Sequence, residues 1–152
     1  MLPAFLGLFI IPLRAQKIES MSFAGLEKEI AAHTEGTVVV NFWATWCRPC
    51  VEELPDFEKF RADYADRQAE VWLVNLDFNS AVATTVKNFV QNRELRSRVI
   101  HLTDTDPNEW IEKVDKTWGG NIPATLIYRS GRKLSFHPQP LTYEDLVHLI
   151  SK

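Results

Sequence analysis

The feature of this sequence that most constrains the fold is a pair of cysteines separated by two residues. Cys47 and Cys50 are the only cysteines in 152 residues, and they follow an apolar run at residues 38–44. Apolar residues then recur at helical spacing, at Leu54, Phe57, Phe60 and Tyr64. The pattern predicts a buried strand that ends at the cysteine pair and a helix that begins there.

The start of a helix determines which sulfur is expected to react. The first N–H groups of a helix have no partner within it and carry partial positive charge, which stabilises a thiolate. We therefore expect Cys47 to be the nucleophile, and Cys50, one turn further in, to be less exposed and to close the internal disulfide. Pro49 suits this position because its missing N–H costs no hydrogen bond there.

Three chemistries are open to the pair: a redox centre, half of a metal site or an inert bridge. A closed zinc site usually takes four ligands, and the sequence has neither a second Cys-x-x-Cys nor a His-x₃-His cluster. A disulfide that closes so short a loop gains little loop-closure entropy and is a poor stabiliser. A redox pair that needs no other cofactor is therefore the favoured interpretation.

The sequence around the cysteines resembles the thioredoxin superfamily. The likeness rests on Trp-Cys-x-Pro-Cys at residues 46–50, at the end of an apolar strand, and on Pro55 five residues later. Residues 41–50, followed by Glu53-Leu54-Pro55, are more similar to the extracytoplasmic reductases of the TlpA/ResA group than to cytosolic thioredoxin. The resemblance covers residues 22–152 and implies an α/β fold: a thioredoxin-like three-layer α/β/α domain with a central mixed sheet and a helix–strand insertion.

A second motif, Gly-Gly-Asn-Ile-Pro-Ala-Thr at residues 119–125, precedes the apolar run 126–128. The resemblance implies that the Ile122–Pro123 bond is cis, lies against the cysteines, and is preceded by backbone that pairs with the substrate chain. A folded protein that keeps a cis bond before proline usually has a structural or functional use for it. Ile122 and Pro123 are therefore expected substrate-binding residues, together with Trp46, Arg48 and Pro49.

Cys50 must lose a proton before it attacks, and the sequence offers one candidate acceptor. Thioredoxins resemble one another in a buried aspartate six residues before the first cysteine, but that position is Asn41 here, which cannot take a proton. Glu53 matches the glutamate of the TlpA/ResA group and lies on the helix face of Cys50. The alternative is that Glu53 is a solvated surface carboxylate, as we expect for Glu52, about 100° away around the helix.

Two neighbours of Cys47 are expected to affect its chemistry. Trp46 is predicted to shield the sulfur and to offer a contact surface, with simple packing as the alternative. Arg48 is predicted to favour the thiolate and to make the pair more oxidising. The other four tryptophans are predicted core residues, namely Trp43, Trp72, Trp110 and Trp118. The four histidines are predicted to lie at the surface or in satisfied packing, namely His33, His101, His137 and His148.

The rest of the chain predicts alternating helices and strands. We expect a polar link at 16–21, helices at 22–33, 49–64, 81–93, 106–118 and after 142, and strands at 37–44, 71–77, 99–102, 124–128 and 133–137. Ser22, Ser80, Asp106 and Thr142 are the expected helix caps, and Pro55 is expected to kink the second helix.

The N-terminus indicates where the protein works. Residues 1–13 are uncharged and apolar, and Arg14-Ala15-Gln16 follows. This resembles the core and cleavage region of a signal peptide, and it is shorter than the ~20 residues of a membrane span. We expect residues 1–16 to be an export signal and residues 17–152 to form one domain. An uncleaved membrane anchor and an ordered N-terminal segment are the alternatives.

The resemblance implies a thiol–disulfide oxidoreductase that works as a monomer in the periplasm or another extracytoplasmic space. Its expected substrates are protein disulfides, apocytochrome c cysteines among them, and a membrane dithiol would supply electrons. A net charge of −3 gives no basis for nucleic-acid binding. Alternatives are a non-catalytic binding or copper-handling module, and a thiol peroxidase. Against the latter, Ala44 stands where peroxidases of this kind have threonine.

Overall fold

The computed structural model describes residues 16–151. The predicted export signal, residues 1–16, therefore lies outside the described residues except for Gln16. Six strands form one sheet: β1 Ile18–Met21, β2 Thr37–Trp43, β3 Ala69–Asn75, β4 Arg98–Leu102, β5 Ala124–Arg129 and β6 Arg132–His137. Five α-helices accompany them: α1 Phe23–Ala32, α2 Arg48–Tyr64, α3 Lys87–Asn92, α4 Ile111–Val114 and α5 Tyr143–Ile150.

The sheet is mixed, with strand order β1-β4-β3-β2-β5-β6. The first four strands in that order are parallel, whereas β5 and β6 are antiparallel to their neighbours. All seven residues of β2 are buried because helices cover both faces of the sheet. The predicted three-layer α/β/α architecture is confirmed.

Each face of the sheet has its own apolar core. On one face, α2, α3 and α5 bury residues that include Phe57, Val90 and Leu146. On the other face, α1 and α4 bury residues that include Leu26 and Val114, together with an aromatic cluster. The four tryptophans predicted to be core residues are all buried. The carboxyl end of β2, which leads to the cysteines, lies between the two cores.

Three helix ends agree with the sequence analysis. Ser22 caps α1, and its hydroxyl oxygen accepts a hydrogen bond from Gly25 N–H. Thr142 and Asp145 form the capping box of α5. Asp106 caps a short 3₁₀ turn at Pro107–Glu109, as its side chain accepts from Asn108 N–H.

Two predicted helices differ from the structure. In place of one helix at 81–93 there are a 3₁₀ turn at Asn79–Ala81, a π-helical turn at Val82–Val86 and then α3, and Ser80 does not cap them. The β-branched residues of segment 82–86 disfavour a regular helix there. The helix predicted at 106–118 ends at Val114, because Asp115 accepts hydrogen bonds from the N–H and hydroxyl of Thr117 and forms a local turn instead.

Two strands also differ from the prediction. Part of the expected link at 16–21 is strand β1, which pairs with β4 and is held by an ion pair of 2.7 Å between Glu19 and Arg98. Strand β3 begins and ends two residues before the predicted 71–77, so Leu76 and Asp77 lie beyond it.

Pro55 lies inside α2, which continues to Tyr64. Within residues 16–151, no helix has the length and apolar character needed to cross a membrane.

Gly36 directly precedes the central strand β2 and gives a test of this architecture. Its φ is +72°, and a Cβ there would lie 2.2 Å from the carbonyl oxygen of Gln68. Gly36→Ala should therefore lower the free energy of unfolding by at least about 2 kcal/mol, measured by urea denaturation. Gly119→Ala is the matched control, because a Cβ there meets no atom within 4 Å. Equal stability of the two variants would contradict the assigned backbone.

Candidate active site

The two cysteines are joined by a disulfide at the junction of β2 and α2. Cys47 is the N-cap residue of α2, and Cys50 lies in its first turn. Cys47 is 6% exposed and Cys50 is fully buried, which is the predicted order. Attack from outside can therefore begin only at Cys47.

The start of α2 provides the predicted hydrogen-bond donor for the outer sulfur. The N–H of Cys50 lies 3.4 Å from Cys47 Sγ and points at it. Pro49, at the second helical position, leaves no competing N–H there. After reduction of the disulfide, this donor and the helix dipole both stabilise negative charge on Cys47.

The second sequence motif lies against the first. Cys47 Sγ is 3.7 Å from the carbonyl oxygen of Ile122, and the Ile122–Pro123 bond is cis, the isomer that the resemblance implies. Ile122 is half-buried and Pro123 is buried. The fold thus brings residues separated by 75 positions together around the outer sulfur.

Glu53 is a buried carboxylate on the helix face of Cys50, and only 4% of it is exposed. The Asn41 amide N–H donates to Oε1 at 2.7 Å, and the Leu141 N–H donates to Oε2 at 2.8 Å. Burial raises the pKa of Glu53 to about 7, although these two hydrogen bonds oppose the shift. Glu53 is therefore not a solvated surface carboxylate.

The side chain of Asn41 lies between Glu53 and Thr125. Its side-chain N–H₂ donates to Glu53 and, at 3.1 Å, to the hydroxyl oxygen of Thr125. Its own Oδ1 is buried and accepts no hydrogen bond from any described residue. A buried acceptor left without a partner costs free energy.

The outer residues predicted to contact substrate surround Cys47. Trp46 is 65% exposed, so the alternative of simple packing does not hold for it. Arg48 and Pro49 are also exposed. Arg48 forms an ion pair of 2.7 Å with Glu52, and both side chains are largely in solvent. This pairing offsets part of the positive charge and solvent screens the rest, and the effect of Arg48 on the thiolate stays a prediction.

A polar network that no sequence motif indicated holds the loop before Cys47. The carboxylate of Asp77 accepts hydrogen bonds from the N–H and the hydroxyl of Thr45, at 2.8 and 2.6 Å, and from the Asn75 amide at 2.7 Å. His101 packs beside Asn75, and burial lowers its pKa. The available signal was the position of Asn75, Asp77 and His101 at the carboxyl ends of parallel strands, where α/β sheets bind ligands.

Known proteins resemble this chain in sequence. The family model described as "AhpC/TSA family" matches residues 14–137. The thiol-disulfide oxidoreductase ResA of Oceanobacillus iheyensis is 38% identical over 92 residues, which are 60% of this chain and 43% of that protein. ResA of Halalkalibacterium halodurans is 33% identical over 117 residues, which are 74% of this chain and 61% of that protein. The chain thus spans about half the length of these relatives.

Solved structures share the fold. A putative thiol:disulfide interchange protein DsbE from Chlorobium tepidum superposes with a TM-score of 0.63 at 23% identity, over 80% of this chain and 82% of that one. A secreted thiol-disulfide isomerase from Corynebacterium glutamicum gives a TM-score of 0.61 at 18% identity, over 76% and 68% of the two chains. The predicted thioredoxin-like α/β fold is confirmed.

The raised pKa of Glu53 predicts how stability depends on pH. Its carboxyl is neutral when folded up to about pH 7 but ionises near pH 4.5 when unfolded. The stability gained by burying the neutral form is complete below pH 4.5 and is lost as pH rises through 7. Between these limits the oxidised wild type should lose about 3 kcal/mol relative to Glu53→Gln, measured by urea denaturation across that range.

The control for this measurement is Glu52→Gln, which removes an exposed carboxylate one residue away. Its stability should follow the wild type at every pH. If the Glu53→Gln curve also runs parallel to the wild type, the buried carboxyl titrates at its ordinary pH and the assigned pKa shift is wrong.

Proposed function

We propose that this chain, which belongs to the AhpC/TSA family, is a thiol–disulfide oxidoreductase whose redox centre is Cys47–Cys50. The observation that supports this most strongly is the geometry of the pair: a disulfide with one sulfur at a helix N-cap and the other fully buried, on the helix face that also carries the buried Glu53 three residues later. A structural bridge has no use for that asymmetry. An exchanging pair uses it in two separate steps.

In the first step, the Cys47 thiolate attacks one sulfur of a substrate disulfide. A mixed disulfide forms, and the other substrate sulfur leaves as a thiolate. In the second step, Cys50 loses its proton and attacks Cys47 Sγ, which closes the internal disulfide and releases the second substrate thiolate. Two electrons pass from the cysteine pair to the substrate, and the reverse sequence oxidises a dithiol.

Glu53 is the proposed proton acceptor for Cys50. A general base works best when its pKa lies near the working pH, and burial brings Glu53 to about 7. Rotation of the Asn41 amide by half a turn would let its Oδ1 accept the proton of the neutral carboxyl. The hydroxyl of Thr125 can donate or accept, so it serves both orientations. Either protonation state of Glu53 keeps its hydrogen bonds.

The substrate is proposed to lie across the cis proline. Ile122 presents its carbonyl oxygen next to Cys47 Sγ, where an extended substrate chain can pair with it by backbone hydrogen bonds. Exposed Trp46, Arg48 and Pro49 complete the contact surface around the attacked disulfide. Pro123, buried behind Ile122, holds that backbone in place.

The setting is proposed from the same comparisons. The predicted export signal at residues 1–16, with its apolar block at 1–13, and the secreted isomerase among the structural neighbours favour an exported protein, in the periplasm or another extracytoplasmic space. There it would act as a monomer and a reductant, with no cofactor besides its cysteines. A membrane dithiol would restore its electrons, and cytochrome c maturation is one process that needs such a reductant.

Trapping tests the roles of the two sulfurs. Cys50→Ala should accumulate a mixed disulfide on Cys47 with protein substrates, because no second sulfur resolves it. Cys47→Ala should trap nothing, since Cys50 is fully buried. The products are read by non-reducing electrophoresis and mass spectrometry. Equal trapping by both variants would contradict the assigned roles, and a pair that stays oxidised at potentials below about −300 mV would exclude exchange altogether.

Kinetics test the proton acceptor. Glu53→Gln should leave the first step unchanged and slow the second by about 100-fold, since general base catalysis typically contributes that much or more. Single-turnover quenching with acid separates formation of the mixed disulfide from its resolution. Glu52→Gln should slow neither step. A Glu53→Gln variant that resolves the mixed disulfide at the wild-type rate would assign the proton transfer to another group.

A further inference from the structure

A cleft of about 320 Å³ opens next to Cys47, on the face of the sheet opposite Glu53. Trp46 and Ile122, which flank the outer sulfur, form one side of it. Phe78 and Trp110 supply further aromatic surface, and Asp77 and Asp104 supply carboxylates. Its size is at the lower end of the range for ligand pockets, and it is continuous with the proposed redox site.

The walls of the cleft expose apolar surface that nothing in the described chain covers. Only three large apolar side chains among residues 16–151 are exposed, and two of them, Trp46 and Phe78, lie here. Phe78 is 82% exposed. Exposed aromatic residues that surround a concave site are typical of surfaces that bind a partner.

The charge of the cleft is negative and uncompensated. Neither Asp77 nor Asp104 forms an ion pair within the described part of the chain, and all their hydrogen bonds come from uncharged donors. The segments that carry most of the lining residues, 76–79 and 102–111, contain no lysine or arginine.

The cleft has aromatic walls and carboxylates that lack a cation. These two features match the two parts of a long basic side chain, its apolar stem and its charged head group. The methylene stem of lysine or arginine packs on apolar surface while its head group pairs with a carboxylate, and a nearby aromatic ring attracts the cation further. We propose that the cleft binds a lysine or arginine of the polypeptide substrate, two or three residues from the cysteine that Cys47 attacks. This inference rests on the proposed function and adds a substrate class to it: segments with a basic residue close to the reactive cysteine.

Matched peptides test the proposal. Six-residue peptides with blocked ends carry one cysteine, activated as a neutral mixed disulfide with 2-thiopyridine, and lysine, arginine, norleucine or glutamate two residues away. Stopped-flow release of the thiopyridone gives the second-order rate constant for the reduced protein. We expect the lysine and arginine peptides to react about tenfold faster than the glutamate peptide, with norleucine between them. The difference should shrink as salt is added.

Variants assign the effect to the cleft. Asp104→Asn removes the charge but retains an oxygen to accept the Phe23 N–H, and it should lose most of the preference for lysine over norleucine. Asp106→Asn is the matched control from the same loop, as Asp106 is exposed and does not line the cleft. Phe78→Ala should slow the lysine, arginine and norleucine peptides alike, since it removes apolar surface common to all three.

The outcomes separate the two proposals. A norleucine peptide that reacts as fast as lysine, with no effect of Asp104→Asn, would show an apolar occupant and overturn the inference. Equal rates for all four peptides would show that the cleft is not a substrate subsite. If the reduced protein fails to reduce even 2,2′-dithiodipyridine, a small uncharged disulfide, the proposed redox function fails and the inference fails with it.

Discussion

The structure depends on one junction, where a strand buried on both faces gives way to a helix. Strand β2 is fixed by β3 on one side and β5 on the other, so its end cannot move without disturbing both pairings. Cys47 follows as the N-cap residue of α2, and the N–H of Cys50 points at its sulfur. The rigid strand therefore sets the position of the reactive atom, and the helix sets its charge.

The pocket beneath this junction shows why a carboxyl group is kept in an apolar core. Among residues 16–151, no cation forms an ion pair with Glu53 and two neutral donors bond to its carboxylate, so burial dominates its pKa. An aspartate in place of Asn41 would set two carboxylates within hydrogen-bond distance and make their titrations inseparable. With an amide there, one carboxyl group titrates alone, near the pH at which a thiol must lose its proton.

Local patterns predicted the parts of the fold that local interactions determine. Continuous apolar runs predicted β2 and most of β3, and cap residues predicted α1 and α5. Of the failures, one is decided by a distant contact, since β1 is a strand because of its pairing with β4. Another is decided by a side chain that competes locally with the helix: α4 ends early because Asp115 bonds to Thr117. The same holds for the site, since the motif predicted Cys47, Cys50 and Glu53, whereas the contact of Asp77 with Thr45 crosses 32 positions.

The candidate site has parts on both faces of the sheet. Glu53 lies in the core under α2, whereas the cleft with Phe78 and Asp104 lies on the side of α1 and α4, and the cysteines stand at the boundary. Under the two proposals, substitutions in the cleft act on capture of the substrate, because they do not touch Glu53, the proposed acceptor of the Cys50 proton. Asp77 is the link between the two sides: it lines the cleft and also holds Thr45, two residues before the nucleophile. In the proposed complex, a cation bound in the cleft lies close to this carboxylate, so binding of the substrate and the position of Cys47 depend on the same group.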